Sequence, residues 1–346
     1  MSFQNKKSSQ NNQSENLFKI GNNLFRLGIL LLPSATFFSM IFLLIAFIIA
    51  NIKRRNLFKD KWNFPLLICS ILMIIVCFIS NASKTNIYNL NLENNLNWLG
   101  TLNWIPMFWI FWCSQSYLKN IKERISCSYF LVLGLIPVLI SGFGQYYFEW
   151  YGPIKLLNGT IIWYQRSSDN LSQALTGPFN NANYAGTWLA VIFPLCFFFI
   201  RKSTKLNLSK IFFSFLTIAS LLATFLTLSR NAILNISIAS LLLLGISFKL
   251  IFLFFLICFI LLSSFYIFQI PLDYLGFLNE NKILSSFIPS TNKLSDIFNF
   301  TRIKIWKTAI MNIIKRPFIG WGASSFSAIY FINNGKPTFQ HTHNIV

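Results

Sequence analysis

Apolar runs of about twenty residues, separated by short basic or turn-forming stretches, fill the chain from Gly28 to Ile270. A helix rises 1.5 Å per residue, so about 20 apolar residues are needed to cross the hydrocarbon core of a bilayer. Eight runs meet that length: approximately Gly28–Ala50, Phe64–Asn81, Leu99–Leu118, Ser126–Glu149, Tyr184–Ile200, Ile211–Leu228, Ala232–Phe248 and Leu250–Ile270. A break at Pro33-Ser34 divides the first run into two short helices, Leu17–Pro33 and Ala35–Ile52, and raises the count to nine. Eight and nine both stay open from the pattern alone. The expected fold class is all-α, a polytopic membrane helical bundle of 8–9 transmembrane helices with an outward-facing, partly helical loop.

The polar stretches between the runs set the organisation. Residues 1–23, rich in Asn, Gln, Ser and Lys, read as a disordered polar tail. Residues 24–270 form the expected bundle, and 271–346 the outward loop. Basic clusters alternate along the chain: Lys53-Arg54-Arg55 with Lys59 and Lys61, then Lys119, Lys122 and Arg124, then Arg201-Lys202 with Lys205 and Lys210, then Lys249. The positive-inside rule assigns these to the cytoplasmic side, so Ile87–Trp98, Tyr151–Asn183, Ser229–Asn231 and the segment after Pro271 face outward. A single first span leaves the tail outside. The split at Pro33-Ser34 keeps both ends of that hairpin inside, where Lys6, Lys7, Lys19 and Arg26 prefer to be.

Composition agrees with the pattern. Hydrophobic residues are 54% of the chain, charged residues 11%, and mean hydropathy is +0.55, against about 25% charged in an average soluble domain. The 39 phenylalanines suit lipid contact better than a close-packed soluble core. A net charge of +20 excludes little by itself. A nucleic-acid reader, however, gathers its cations on one soluble face with aromatics between them, and these cations lie between membrane runs, so no nucleic-acid partner is expected. The six cysteines lie in or beside apolar runs without metal-ligand spacing and read as small buried hydrophobes.

Against that background a few polar residues stand out. Arg230, in Leu226-Thr227-Leu228-Ser229-Arg230-Asn231, is a cation in a tight outward turn with no acidic residue near in sequence. It fits either an arginine snorkelling to outer headgroups or an anion site. Residues 301–316 carry Ile303, Trp306, Ile310, Ile313 and Ile314 at helical spacing, the mark of an amphipathic helix lying in the outer interface. Thr301 as N-cap puts Arg302 in the first turn, where the helix dipole disfavours a cation and a bound anion relieves the conflict. The turn Gly177-Pro178-Phe179-Asn180-Asn181-Ala182-Asn183 leads into a span, and amides such as Asn181 and Asn183 can bond either backbone or a sugar. In Pro317-Phe318-Ile319-Gly320-Trp321-Gly322, Trp321 suits an interfacial anchor or a sugar-stacking face. Both histidines, His341 and His343, close the chain in His341-Thr342-His343-Asn344, placed for acid–base work at a membrane surface or simply solvated in a loop.

In this order, these elements resemble the O-antigen ligase family: an outward Asn/Gly turn entering a span, Ser-Arg between two later spans, an Arg-bearing helix with Trp, a Pro-Phe-x-Gly-Trp-Gly turn and His-x-His-Asn. The resemblance covers Leu24 to Val346 and implies a GT-C-like membrane glycosyltransferase without metal or other cofactor. It implies transfer of a glycan from a polyprenyl diphosphate carrier to an acceptor hydroxyl, lipid A-core or similar, at the periplasmic face of the inner membrane. It assigns the diphosphate to Arg230 and Arg302, the base to His343 with His341 as second candidate, and support to Asn181, Asn183, Trp321 and Asn344. Members of the family continue past this histidine, so further C-terminal spans are expected beyond Val346. The alternatives are an O-antigen polymerase, an inorganic-carbon (bicarbonate) transporter served by a basic outward funnel, and an inactive fragment. Against ion-coupled transport, all nine acidic residues fall outside the apolar runs or at their ends.

Overall fold

The computed structural model describes residues 2–53, 60–82, 95–165, 174–202, 207–247, 301–318 and 320–334, with short pieces at 249–250, 252–253 and 256–257. The chain divides into two compact units, one of residues 1–53 with 117–290 and the other of residues 54–116 with 291–346.

The first unit opens with a helical hairpin, α1 (Ser2–Leu31) and α2 (Thr36–Lys53). Pro33 stops α1 because its ring cannot continue the hydrogen-bond ladder, and Ser34 and Ala35 donate their N–H groups back to Leu31 O at 3.1 and 2.8 Å. The first apolar run is therefore two helices, and the single span Gly28–Ala50 does not form. The two pack where glycine removes a side chain. A Cβ on Gly28 would lie 2.6 Å from Leu43 Cγ, and Ser39 Oγ donates to Gly28 O at 2.7 Å. The backbone is helical from Ser2. No proline or glycine interrupts the chain before Gly21, and Asn, Gln and Ser each cost only tenths of a kcal/mol in a helix already extended from a packed segment.

Ser126–Glu149, expected as one span, falls almost wholly within one apolar run long enough to cross a membrane, Ile121–Phe148, which a turn at Gly134 divides into α5 (Ile121–Leu133) and α6 (Leu135–Phe148). Two local causes coincide. Pro137 removes the N–H that would reach back to Leu133, and Gly134 lets the backbone of α1 pass close, since a Cβ there would lie 2.7 Å from Leu30 O. After α6 comes a hairpin absent from the all-α expectation: β1 (Ile154–Leu156) pairs antiparallel with β2 (Ile161–Trp163) in the register Ile154 to Trp163. Its turn uses Leu157, Asn158 and Gly159, all at positive φ.

The unit continues with α7 (Ala182–Lys202), α8 (Leu208–Leu226) and α9 (Arg230–Leu243). Helices α5 to α8 enclose the core of Leu135, Val138, Leu189, Ile192, Phe199 and Phe213, with the Phe199 and Phe213 rings stacked at 4.8 Å. Small residues Ala185, Cys196, Ala219 and Ala223 fill the same core and allow the close approach that membrane helices need. The span expected over Ala232–Phe248 ends at Leu243, followed by Gly245 at φ +86°. At 14 residues α9 is about 21 Å long, shorter than the bilayer core. Most of the eighth expected span, Leu250–Ile270, lies outside the described residues.

The second unit contains α3 (Phe64–Ala82), α4 (Asn95–Ser114), α10 (Thr301–Lys315) and α11 (Phe326–Asn334). Asn63, just before α3, and Gln115, just after α4, are joined by two amide hydrogen bonds of 3.2 and 2.8 Å. Among the described residues, four helical runs are long and apolar enough to cross a membrane: Lys61–Ile79, Ile121–Phe148, Ala182–Lys202 and Leu208–Leu226.

Gly28→Leu is expected to overpack the α1–α2 hairpin and destabilise the protein by about 1–3 kcal/mol. A lowered melting temperature in detergent checks this; an unchanged one shows that the hairpin is not packed at Gly28.

Candidate functional site

The site region of the first unit is one end of its bundle, where irregular backbone is gathered and hydrogen-bonded. The centre of this arrangement is Gln145, a buried amide near the end of α6. Its Oε1 accepts from Thr176 N and Gly177 N, both at 2.9 Å, and from Thr176 Oγ1 at 3.1 Å. Gly177 adopts φ +56° with a built Cβ 3.3 Å from Val138 O, so a side chain there meets backbone. Gln165 N donates to Gly177 O and Tyr164 N to Pro178 O, both at 3.2 Å, which ties the strand hairpin to the turn. Gln165 Nε2 in turn donates to Ser141 Oγ at 2.8 Å, and Trp163 Nε1 reaches Ser34 O of the α1–α2 link at 2.7 Å.

The same turn is bound to the corner between α8 and α9. Leu175 N donates to Leu226 O at 2.9 Å, satisfying a carbonyl that the end of α8 leaves open. Thr227 Oγ1 donates to Thr224 O at 2.7 Å and accepts from Ser229 N at 3.3 Å. Leu228 takes φ +52°, an unfavourable conformation for a non-glycine residue. That corner lets α9 start at once with Arg230. Gly186 of α7 sits against it: a Cβ there would lie 2.8 Å from Ala232 Cβ, 2.9 Å from Ser229 Cβ and 3.0 Å from Thr227 Oγ1. The first turns of α7 and α9 therefore meet at one end of the bundle.

Asn181 caps α7, its Oδ1 accepting from Asn183 N at 2.8 Å while its carbonyl accepts from Tyr184 N and Ala185 N. The Asn181 side chain bonds backbone, the first of the two roles its sequence context allowed; Asn183 is exposed one turn before Gly186. Arg230 is exposed at the first position of α9. Ser229 precedes it in extended conformation but makes no side-chain cap, so the first-turn N–H groups of α9 have no side-chain partner there. A guanidinium and the positive end of a helix dipole thus share one spot, an arrangement that an anion relieves.

In the second unit, α10 is described from Thr301, which is helical where the sequence made it a cap. The described side chains of α10 bury Ile305 and Asn312 and leave Trp306, Ile310, Ile313 and Ile314 exposed. Trp321 is braced on this helix: Nε1 donates to Asn312 O at 2.9 Å, and the Arg316 guanidinium lies 4.2 Å from its ring centroid. Gly322 at φ +97° presses on α4, where a Cβ would lie 2.3 Å from Asn97 Oδ1. His341, His343 and Asn344, with the side chain of Arg302, lie outside the described residues.

Residues 215–346, from within α8 to the end of the chain, match the family model described as O-Antigen ligase. The match supports an O-antigen ligase family assignment for that region. That family is a glycosyltransferase-like group of ligases and polymerases, so the match supports an O-antigen ligase or polymerase-related function in general, and the apolar helices support a membrane protein. The matched region includes Arg230, Arg302, Trp321, His341, His343 and Asn344; Asn181 and Asn183 precede it. No curated protein and no solved structure matches the chain.

The sequence reading missed Gln145, Gln165, Ser141 and Thr176, which hold the turn. One signal was available: a glutamine inside the apolar run Phe143-Gly144-Gln145-Tyr146 must find partners at membrane depth.

Gln145→Leu puts a branched apolar side chain there and removes the acceptor of the Thr176 and Gly177 N–H groups. The expected cost is at least about 2 kcal/mol, from two buried donors at about 1–3 kcal/mol each, read as a lowered melting temperature together with faster proteolysis within 174–181.

Proposed function

We propose that this chain is a membrane glycosyltransferase of O-antigen ligase type. It transfers a glycan from a polyprenyl diphosphate carrier to an acceptor hydroxyl of lipid A-core or a similar molecule, at the periplasmic face of the inner membrane. The observation that carries the reading is Arg230 at an uncapped helix N-terminus, beside the capped first turn of α7, inside the region matched by the family. A diphosphate is the leaving group such a place suits. It takes paired hydrogen bonds from a guanidinium and further bonds from free backbone N–H groups.

In the proposed reaction the acceptor oxygen attacks the anomeric carbon as the bond from that carbon to the carrier phosphate breaks. The bonding electron pair leaves with the diphosphate, and Arg230 and Arg302 stabilise the charge that develops there. His343 takes the hydroxyl proton, with His341 as the second candidate. Asn183 and Asn344 support the glycan and the base, and Asn181 and Trp321 hold the turns that present them. A growing polymer as acceptor turns the same chemistry into an O-antigen polymerase.

The test uses the full chain in proteoliposomes with a lipid-linked glycan donor and a lipid A-core acceptor. His343→Ala is expected to lower turnover by about 10²-fold or more, the usual worth of a positioned base. Wild-type turnover in that variant removes the base assignment. Arg230→Ala is expected to lose a similar factor in kcat/KM, and Arg230→Lys to recover only part of it because an ammonium lacks the planar fork. Transfer by Arg230→Ala at the wild-type rate rejects the diphosphate site.

A further inference from the structure

Helix α10 of the second unit is turned against the sense in which an amphipathic helix packs in a soluble fold. It buries Ile305 and Asn312 and half-buries Thr308, Ala309 and Arg316, yet leaves Trp306, Ile310, Ile313 and Ile314 exposed, Ile314 at 70%. Those four stand at i, i+4, i+7 and i+8 and so form one stripe. Lys304, Lys307 and Lys315 are exposed on the flank that separates the stripe from the buried face. Just past the helix, Phe318 is 97% exposed and adds to the apolar surface. The partner that buries this stripe lies outside the fold of its own unit.

The tether of α10 sets the level at which the stripe lies. Trp321 Nε1 donates to Asn312 O at 2.9 Å, and Gly322, next to that tryptophan, packs on Asn97 near the start of α4. The Asn97 carbonyl in turn accepts from Cys77 Sγ at 3.4 Å, close to the end of the membrane-length run Lys61–Ile79. The end of a membrane-length helix marks the boundary between hydrocarbon and headgroups. With lysines at 304, 307 and 315 and a length of about 22 Å, α10 is suited to lie along that boundary and not to cross it.

Charge then selects the occupant. The sequence holds no Asp or Glu from 297 to 346. A second copy docked stripe to stripe would set lysine row near lysine row, a like-charge arrangement that costs affinity. An anionic lipid surface accepts both the apolar stripe and the lysines.

We propose that α10 is an anionic-lipid-docking helix. Trp306, Ile310, Ile313, Ile314 and Phe318 enter the boundary of headgroups and acyl chains, and Lys304, Lys307 and Lys315 pair with phosphates of anionic phospholipids beside them.

The experiment uses the full chain in nanodiscs of mixed phosphatidylcholine and phosphatidylglycerol. One lipid or the other carries an acyl-chain diazirine, which is photolysed and mapped by mass spectrometry. Both lipids are expected to label Ile310, Ile314 and Phe318. Relative to Ile71 and Ile75, exposed on α3, phosphatidylglycerol is expected to lead there by about fivefold or more, the scale of one lysine at an anionic surface. Ile310→Glu with Ile314→Glu is expected to cut label over 306–318 about tenfold, since each puts a charge into hydrocarbon. Both side chains are exposed, so label on α3 and the melting temperature stay unchanged. Lys304→Gln, Lys307→Gln and Lys315→Gln together are expected to level the two lipids. Wild-type label confined to α3 overturns the proposal, and equal labelling of α10 by the two lipids removes the anionic partner. Cross-links from α10 to α10 in place of lipid label assign the stripe to a second copy and overturn it as well. None of these readouts passes through glycan transfer.

Discussion

Backbone that leaves the helical ladder at membrane depth must have its N–H and C=O groups satisfied inside the protein, because hydrocarbon offers no partners. At the turn of residues 176–177 one buried glutamine meets that need. Gln145 presents a single oxygen to two backbone N–H groups and a hydroxyl of residues 176–177, and the turn so fixed reaches Leu226 through Leu175 N. The end of α8, the corner at Leu228 and the start of α9 are held by the same chain of bonds. Were the 174–181 turn free to move, the α7 N-terminus would have no defined position relative to Arg230. The geometry of the corner that carries Arg230 therefore depends on a residue in neither α7 nor α9.

Much of the bundle was legible because apolar length is a strong signal. The runs over α3, α7 and α8 needed nothing beyond counting, and Pro33 gave the α1–α2 break once its missing N–H was considered. What the pattern did not yield were features set by contacts distant in sequence. The bend at Gly134 comes partly from the backbone of α1 passing 2.7 Å from where a Cβ would be, and no local window contains that fact. The hairpin is a different case. Asn158-Gly159 between Ile154-Lys155-Leu156 and Ile161-Ile162-Trp163 is a strong local hairpin signal, but it was submerged in a chain otherwise read for helices.

The candidate site shows the same division. Arg230 was visible as a cation out of place, and the structure adds why it is there: α9 begins without a side-chain cap at the corner, with its first turn against Gly186. For Trp321 the sequence left two roles open, and a hydrogen bond to Asn312 with Arg316 over the ring makes it a brace for the Gly-Trp-Gly turn. Asn181 is similarly engaged in capping α7. Polar residues in loops look alike in sequence, and only their partners separate those that hold backbone from those that face outward, as Asn183 and Arg230 do.

Cation placement then follows from a balance of two costs. An arginine in the first turn of a helix opposes the dipole, by about 0.3–1 kcal/mol at an exposed position, and Leu228 at positive φ adds about 1–3 kcal/mol of local strain. Neither is needed to connect α8 to α9; glycine at 228 and a serine or threonine hydroxyl bonded to the first turn would do so at lower cost. In the proposed reading both costs are offset by a dianion at the corner, since charge-assisted hydrogen bonds to a guanidinium are each worth about 1.5–3 kcal/mol. A corner unfavourable when empty and favourable when filled is what binding a highly charged leaving group requires. The network centred on Gln145 keeps that corner from relaxing.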